Sequence, residues 1–373
     1  MRIAHLIGTT EFAGTEQMVL TIVQGQRARG HQVYVGFREK GKLREYLEER
    51  GIDVLEPKIG PLSAPAKFAT ACRDLGIDIL HSHLSSGTYV AVGASILSGI
   101  PVVDHLHVYS RDISHRIAAG RGALIAVSNS VNEYYQKQHR IHPGKIHTIL
   151  NGSPIRQDPD SRMSRSLARE VVAEELDLKG PLRFVTLAAR IRHQKGQDLL
   201  IEAAAQIAPA YPDVHFLIVG ADEDPIFAES VFTRAKELGL ASRVHRLGFR
   251  RDIAKLLRAS EVAVVPSRFE PFGLSSVEPM LVGTPLVASR VGGIPELLHR
   301  PELGLLIEPE SVDALARGIT TLLDDPKWAA CIAENAEAEA RDRYSVESML
   351  DKIDDVYESL LTPRPHPDPS FAQ

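Results

Sequence analysis

Two doubly wound α/β domains in tandem are predicted for this chain, and three observations predict them. Short apolar segments alternate with helical patterns through the first half. A polar, turn-rich stretch then interrupts the alternation, and beyond it the same alternation restarts. At 373 residues the chain also exceeds what one hydrophobic core usually serves, so two domains are expected on length alone.

In the first half, Arg2–Gly8 reads as a buried strand, followed by a helix over about Thr15–Arg29 and a strand at Gln32–Phe37. Further strands are expected at Ile77–His81, Pro101–Leu106, Ala123–Ser128 and Lys145–Leu150, with helices such as Gly87–Leu97 and Asn129–Gln138 between them. Strands separated by helical segments argue for a parallel sheet covered on both faces. Asn151-Gly152-Ser153-Pro154 is a turn cluster, and Arg156–Gly180 reads as a polar connection carrying one helix. The second series has strands at Leu182–Ala188, Val214–Val219, Arg243–Leu247, Glu261–Val265 and Thr284–Ala288. Its helices fall at Gly196–Ile207, Ile226–Leu238, Asp252–Arg258 and Gly273–Leu281. Lys327–Arg343 and Ser345–Leu361 read as amphipathic helices that close the fold.

The expected division is an N-terminal domain over 1–157, a connection over 158–180 and a second domain over 181–343. A C-terminal helix over 344–362 would return to the first domain, ahead of a Pro-containing, disordered tail over 363–373. In doubly wound sheets, ligands bind outside the carboxyl ends of the strands. Two such sheets facing one another would line a central cleft.

Composition narrows the function. A hydrophobic content of 44% and a charged content of 24% are those of a globular protein, which excludes a disordered or fibrous chain. The formal net charge of −5 gives no sign of a nucleic-acid binder. The charge is uneven, however: residues 1–157 hold 18 Lys and Arg against 13 Asp and Glu, a net +5, and the remainder is −10. A basic first half suits an anionic acceptor or peripheral contact with the inner membrane surface, although scattered solvated charge gives the same count. Cys72 and Cys331 are the only two cysteines and lie far apart, so neither a disulfide framework nor a Cys-based zinc site is indicated. No secretory leader and no run of 18 apolar residues is found, so a soluble, cytoplasmic protein is expected.

The densest chemical signal is Ser267-Arg268-Phe269-Glu270-Pro271-Phe272-Gly273-Leu274-Ser275-Ser276-Val277-Glu278-Pro279. It follows a buried strand and opens a helix. Gly273 allows close backbone approach, and the amides of Leu274, Ser275 and Ser276, expected to be unpaired, would make a phosphate site. Glu270 and Glu278 flank those donors and could hold opposite ends of one ligand, whereas acids at a helix start also simply favour its dipole. Arg190 and Lys195, in Ala189-Arg190-Ile191-Arg192-His193-Gln194-Lys195-Gly196, offer a planar fork and a point charge to phosphate oxygens. Asp222-Glu223-Asp224 has the spacing of a metal-binding acidic string, but reads better as a helix-capping loop. His81, His83, His105 and His107 lie at two strand ends, so a zinc cluster is conceivable there. The lack of a familiar ligand spacing argues against it, and no metal is expected.

Glu270 and Glu278 form an E-x7-E motif, and Val291-Gly292-Gly293-Ile294-Pro295-Glu296 follows after the next strand. With Arg190-x4-Lys195-Gly196, these resemble the retaining nucleotide-sugar glycosyltransferases of family 4, and the likeness extends from Ile3 to about Tyr357. The resemblance implies the GT-B fold, of two Rossmann-like domains facing a cleft. It implies that Gly14, Arg190, Lys195, Leu274 and Ser275 bind donor phosphates, that Glu270, Pro271, Phe272 and Gly273 bind the donor sugar, and that Glu278 binds the ribose. Gly220, Phe249 and Arg250 would border the nucleobase. His107 falls on the family's active-site histidine, which with Glu270 makes the expected catalytic pair. Phe12-Ala13-Gly14-Thr15-Glu16 resembles the family's Gly-Gly-Ala-Glu loop, with Ala13 and Thr15 as departures and Glu16 on the acceptor side. Pro279, where the family usually has Ala, would bend the helix or delay its start.

The expected function is therefore a retaining, metal-independent, hexosyltransferase-type glycosyltransferase in cell-surface polysaccharide, lipopolysaccharide or glycolipid synthesis. Its donor would be a nucleotide-diphosphate sugar, as co-substrate rather than cofactor, and its acceptor a saccharide or lipid-linked hydroxyl. The rivals are a nucleotide-sugar epimerase on the same fold and a non-catalytic nucleotide-sugar binder. A dehydrogenase lacks support because G-x-G-x-x-G is absent.

Overall fold

The computed structural model describes residues 1–8, 14–37, 42–55 and 64–362. The chain divides into two compact units, Met1–Leu150 with the segment from Val346, and Asn151–Ser345.

The first unit runs β1 (Arg2–Ile7), α1 (Gly14–Ala28), β2 (Gln32–Phe37), α2 (Lys42–Glu48), β3 (Asp53–Leu55), α3 (Ala64–Asp74), β4 (Ile79–His83), α4 (Leu84–Ser98), β5 (Val102–Leu106), α5 (Ser114–Arg121), β6 (Gly122–Ala126), α6 (Asn129–His139) and β7 (Ile146–Thr148). Its strands form one parallel sheet of seven in the order β3-β2-β1-β4-β5-β6-β7. The central strands are buried along their whole length, which is why they read as unbroken apolar runs rather than alternating ones.

The second unit opens with 3-10 turns at Pro154–Gln157 and Pro159–Arg162. It continues through α7 (Arg165–Glu175), β8 (Arg183–Ala188), α8 (Gln197–Ile207), β9 (Val214–Val219), α9 (Pro225–Glu237), β10 (Val244–Gly248), α10 (Ile253–Ala259), β11 (Val262–Val265), α11 (Leu274–Leu281), β12 (Leu286–Ser289), α12 (Ile294–Leu297), β13 (Leu305–Ile307), α13 (Val312–Asp324) and α14 (Pro326–Arg343). Six parallel strands are ordered β10-β9-β8-β11-β12-β13. One core, including Leu187, Leu200, Phe216, Val264, Val287 and Ile319, fills the space between that sheet and α8, α9 and α13. α15 (Val346–Leu361) then belongs to the first unit and packs on α1. Gly25 leaves room for Leu350, and Arg29 pairs with Asp351 and Asp354 at 2.8 and 2.9 Å.

Most expected elements are present within one or two residues, with three corrections. β4 starts two residues later than expected, because Gly76 at φ +62 and Asp78, whose carboxylate accepts from the Arg2 amide at 2.7 Å, make the turn before it. His81 and His83 therefore both lie in the strand. α11 starts at Leu274, because Gly273 at φ +108 cannot be its first helical residue. Pro279 sits inside α11 and withholds one amide, and the helix ends two residues later. α2, β3, α3, α5, α12, β13 and α13 lie outside the expected set. Residues 9–13 and 363–373, including Phe12, Ala13 and the tail, lie outside the described residues.

Candidate functional site

In the second unit, four loops at the carboxyl ends of the strands are tied together by backbone contacts. The β8–α8 loop turns at Gly196, at φ +73, where a Cβ would lie 2.2 Å from the Pro266 carbonyl oxygen. It is fastened to the β11–α11 loop by the Arg268 amide donating to Gln194 O at 2.9 Å, and by Gln194 Nε2 donating to Phe269 O at 2.9 Å. Arg268 adds a bidentate grip on Asp198, at 2.9 and 2.7 Å, and a bond to His193 O at 2.6 Å. The third loop is the glycine pair after β12. A Cβ on Gly292 would lie 1.9 Å from Glu270 O, one on Gly293 2.7 Å from Pro271 O, and the Gly293 amide donates to Glu270 O at 3.0 Å. The fourth passes Gly220, at φ +150, whose Cβ would lie 2.0 Å from Ala189 O. Only glycines permit these approaches.

The result is a set of prepositioned charges. Lys195 Nζ lies 2.5 Å from Glu270 Oε2, and both side chains are largely buried. Arg190 and Arg192 both pair with Glu223, at 2.8 and 2.9 Å. Each cation read from the sequence as a phosphate ligand thus holds a carboxylate. An entering diphosphate would exchange with those carboxylates. An open depression of about 630 Å³ borders the pairs, lined in part by Arg192, Gln194, Glu223 and Arg268. Among the described residues α11 has no side-chain cap at its start, and the Ser276 amide, expected to be unpaired, donates to Gly273 O at 2.8 Å, so the amides of Leu274 and Ser275 are the available donors. Ser275 Oγ is buried without a hydrogen-bond partner. Pro271 and buried Phe272 hold the loop between Glu270 and Gly273.

Glu278, on the fifth residue of α11, is partly accessible yet packed round by protein, and it has no cation or hydrogen-bond donor among the described residues. Burial pushes its carboxyl up to about 7. A ligand hydroxyl group would give it the partner that the protein does not.

The acidic string disperses over separate tasks. Asp222 pairs with Arg246, Glu223 with the two arginines, and Asp224 caps α9 by accepting from the Phe227 amide at 3.0 Å. Of the nucleobase candidates, Phe249 presents an exposed ring and the Gly220 amide donates to Gly248 O at 2.8 Å. Arg250 is committed to Asp252 and Glu175, at 2.5 and 2.8 Å, and braces its own loop rather than offering a free guanidinium.

In the first unit, Gly14 opens α1 and Glu16 is buried in its first turn. His107 follows β5 and is the end of a histidine layer of which the sequence groups four members and misses His5. His5, His81, His83, His105 and His107 lie on one face of three adjacent strand tracks and are all buried. Strand alternation explains it, since His81/His83 and His105/His107 are each two apart and so share a face. Burial drives all five imidazoles towards the neutral form, with His5 and His107 lowered to about 4.

A hydrogen-bond chain orders the protons. Gln26 Oε1 can only accept, so His5 Nε2 donates to it at 2.7 Å and His5 Nδ1 is left as an acceptor. His83 Nε2 then donates to His5 Nδ1 at 2.9 Å, and His107 Nε2 donates to His83 Nδ1 at 3.0 Å. At the other end, Gln26 Nε2 donates to Tyr357 Oη at 3.0 Å, and Tyr357 donates to His81 Nδ1. One amide thereby sets the tautomer of His107, whose Nδ1 is free to accept. The trios His5/His81/His83 and His83/His105/His107 bring ring nitrogens within 4.8 Å of one another. Their rings are mostly stacked, His105 on His107 at 4.3 Å and 19°. His83 is already hydrogen-bonded to His5 and to His107, so joint metal ligation would have to displace that proton chain.

No helix among the described residues is long and apolar enough to cross a membrane. Residues 169–339 match the family model described as "Glycosyl transferases group 1", and residues 12–156 match "Glycosyltransferase Family 4". The chain is 27% identical to an Escherichia coli UDP-Gal:alpha-D-GlcNAc-diphosphoundecaprenol alpha-1,3-galactosyltransferase, over 97% of each chain. It is 32% identical to the lipopolysaccharide core mannosyltransferase LpsB of Rhizobium meliloti, over 50% of this chain and 54% of that one. Anabaena HepE, solved with UDP and glucose, superposes with a TM-score of 0.84 at 28% identity, covering 96% of this chain and 100% of HepE. Two parallel sheets, the prepositioned charges at the ends of the second, and these matches lead to one assignment: the chain belongs to the group 1 glycosyltransferases of the GT-B fold.

Proposed function

We propose that the protein is a retaining glycosyltransferase that moves a sugar from a nucleoside-diphosphate sugar to the hydroxyl of a lipid-linked or saccharide acceptor during assembly of lipopolysaccharide or a related envelope glycolipid. The observation that carries this reading is the Lys195–Glu270 pair beside the uncapped start of α11. It is one cation and two or more amides for a diphosphate, next to one carboxylate for sugar hydroxyls. The UDP complexes of HepE and the lipid-diphosphate acceptor in the name of the Escherichia coli relative support the same substrate classes.

Arg190 and Lys195 stabilise the charge that grows on the leaving diphosphate, and Glu278 holds the ribose. Glu270 orients the donor sugar. In a front-face reaction the leaving phosphate oxygen takes the acceptor proton, so no second carboxylate at hydrolase spacing is needed. His107, held neutral, offers a hydrogen-bond acceptor at Nδ1. The cations do the work that a metal does in other transferases, which supports metal-independent turnover.

A membrane-proximal acceptor is supported by the first unit's surface. Ile96 and Leu97 are exposed near the end of α4, Ile117 on α5 and Ile113 just before it, with Arg111 and Arg116 exposed close to Ile113 in the chain. Exposed apolar side chains with nearby cations suit peripheral contact with an anionic inner leaflet.

The test is thermal stabilisation by UDP, GDP, ADP and TDP and their sugar conjugates, with and without EDTA, followed by a transfer assay with the best donor. Ligand at about 100 times its dissociation constant adds roughly 2.7 kcal/mol. A shift confined to one nucleotide, surviving EDTA, with an α-linked product is expected. A shift lost in EDTA overturns the metal-independent reading, and no shift with any nucleotide overturns the donor site.

A further inference from the structure

On the opposite face of the first sheet from the histidine layer stands a second constellation that the transfer reaction does not use. We propose that Ser85, His115 and Asp104 form a nucleophile, base and orienting carboxylate, and that Ser85 is an acylatable serine acting on esters of apolar carboxylic acids.

The geometry is that of an activated serine. Ser85 Oγ lies 3.1 Å from His115 Nε2, and His115 Nδ1 lies 2.7 Å from Asp104 Oδ2. Asp104 is fully buried, and its other oxygen accepts from Ser82 Oγ at 2.9 Å and Thr88 Oγ1 at 2.7 Å. With its carboxylate so held, Asp104 accepts a hydrogen bond from His115 Nδ1–H, which keeps the proton on Nδ1 and leaves the Nε2 lone pair for the serine hydroxyl. Burial opposes a charge on His115, but the hydrogen bond and charge of Asp104 outweigh it and raise the imidazole above its ordinary value. Ser85 Oγ also meets Ser110 Oγ at 3.1 Å.

The backbone supplies the rest. Ser85 is the second residue of α4, directly after the central strand β4, and the turn between them is made by Leu84 at φ +61. A non-glycine residue in that conformation is strained, as expected where a sharp strand-to-helix turn presents a nucleophile. Two residues on, a Cβ at Gly87 would lie 2.4 Å from Leu6 O, so only glycine lets the helix start this close to the sheet. α4 has no side-chain cap, and the amide of Ser86, next after the nucleophile, is among the first-turn donors available to a developing oxyanion. A buried Asp–His pair alone would be ordinary packing. Here the pair ends on a partly accessible hydroxyl at the ligand-binding edge of a parallel sheet.

The surroundings choose the substrate. Tyr89 lies one turn along α4 from Ser85 and is 55% exposed, and Ile113, at 67%, lies two residues before His115. An apolar acyl chain fits this rim. In the reaction, Ser85 Oγ bonds to the ester carbonyl carbon while its proton passes to His115 Nε2. The bond to the alcohol oxygen breaks, and the alcohol leaves with that proton. Water then gives a proton to His115 and attacks the acyl carbon. The carboxylic acid departs, and Ser85 Oγ recovers the proton. The sum is ester and water to acid and alcohol.

The test uses the full chain with an alkyl fluorophosphonate, read by intact mass and peptide mapping, and with p-nitrophenyl esters of two to ten carbons. One adduct on Ser85 is expected, with faster turnover of the longer esters. Ser85→Ala should give no adduct, Ser86→Ala should retain it, and His115→Gln should slow labelling by roughly 100-fold or more. Asp104→Asn tests the positioning role: labelling slows and its pH profile moves to lower pH, with Asp112, His139 and Tyr135 the other ionisable groups facing the His115 ring. The mapping of the unmodified chain stands without any variant. Absence of label on Ser85 at excess probe, in protein with native circular dichroism, overturns the proposal. So does equal labelling of His115→Gln.

Discussion

Replacing Glu278 by Gln should stabilise the second unit, by an amount that grows as pH rises from about 4.5 to 7. The carboxyl is raised from 4.5 to about 7 by burial without a compensating cation. Below pH 4.5 the folded and unfolded chains both hold the proton, and the group contributes no difference. Between 4.5 and 7 the unfolded chain has lost the proton that the folded one keeps, so stability falls as pH rises. Above 7 the penalty is complete. At 1.36 kcal/mol per pH unit it amounts to about 3 kcal/mol, and to less in proportion as water reaches the carboxylate. The neutral amide of the Glu278→Gln variant carries no such penalty. Trp328, the single tryptophan, begins α14, which packs against α11, so its fluorescence reports unfolding of the unit that holds Glu278. Urea unfolding at pH 5 and pH 8 should show the variant ahead by less than about 1 kcal/mol at the lower pH and by about 2–3 kcal/mol at the higher. An advantage of equal size at both values, or a variant less stable at pH 8, refutes the reasoning.

Glu223→Gln releases Arg190 and Arg192 and should tighten nucleoside-diphosphate binding roughly two- to thirtyfold, since such partly exposed pairs are worth about 0.2–1 kcal/mol each. Calorimetric titration decides it, and weaker binding refutes the exchange of carboxylate for phosphate. Glu270→Gln should lose turnover by orders of magnitude, whereas Glu278→Ala should chiefly raise the donor dissociation constant. Equal, small effects in steady-state kinetics count against both roles. Gly292→Ala puts a methyl group against Glu270 O at a φ of +51 and should cost about 1–3 kcal/mol, lowering kcat more than donor affinity. Gln26→Leu orphans His5 Nε2 and frees Tyr357, so histidine ¹⁵N spectra should pass from a single Nε2–H form at His5, His83 and His107 to mixed tautomers.

Much of the second unit is legible in the sequence because its signals are local. β9 occupies the residues expected for it, since an apolar run bounded by turns is readable without knowing its neighbours. The Glu270–Gly273 loop and the Arg190–Gly196 loop each announce themselves by glycine and charge. What local reading lacks is the lateral order of strands. Nothing near His5 in the chain says that β4 will lie beside β1, so the sequence brings His81, His83, His105 and His107 together at two strand ends but passes over His5. The same blindness hides Ser85, His115 and Asp104, which come from α4, α5 and β5. A recoverable signal exists in the doubled His-x-His, whose spacing of two in successive strands predicts one shared face. α13 is also recoverable: Leu315, Ile319, Leu322 and Leu323 recur at helical spacing on its buried side.

The hydrogen-bond chain that ends on Tyr357 has a consequence for the order in which the protein is made. Its other members, from His5 to His107, are synthesised early, but the tyrosine that anchors Gln26 follows the whole of the second unit. At about 5–20 residues per second, the ribosome takes on the order of 10–40 s to travel from Leu150 to Tyr357. Over that interval the contiguous second unit is made, while the first has a histidine layer that Tyr357 does not yet reach. The earliest part of the chain to emerge is thus the last to be finished. A nascent protein released short of α15 would carry the whole second unit and a first unit whose Gln26 amide lacks the tyrosine that holds its orientation.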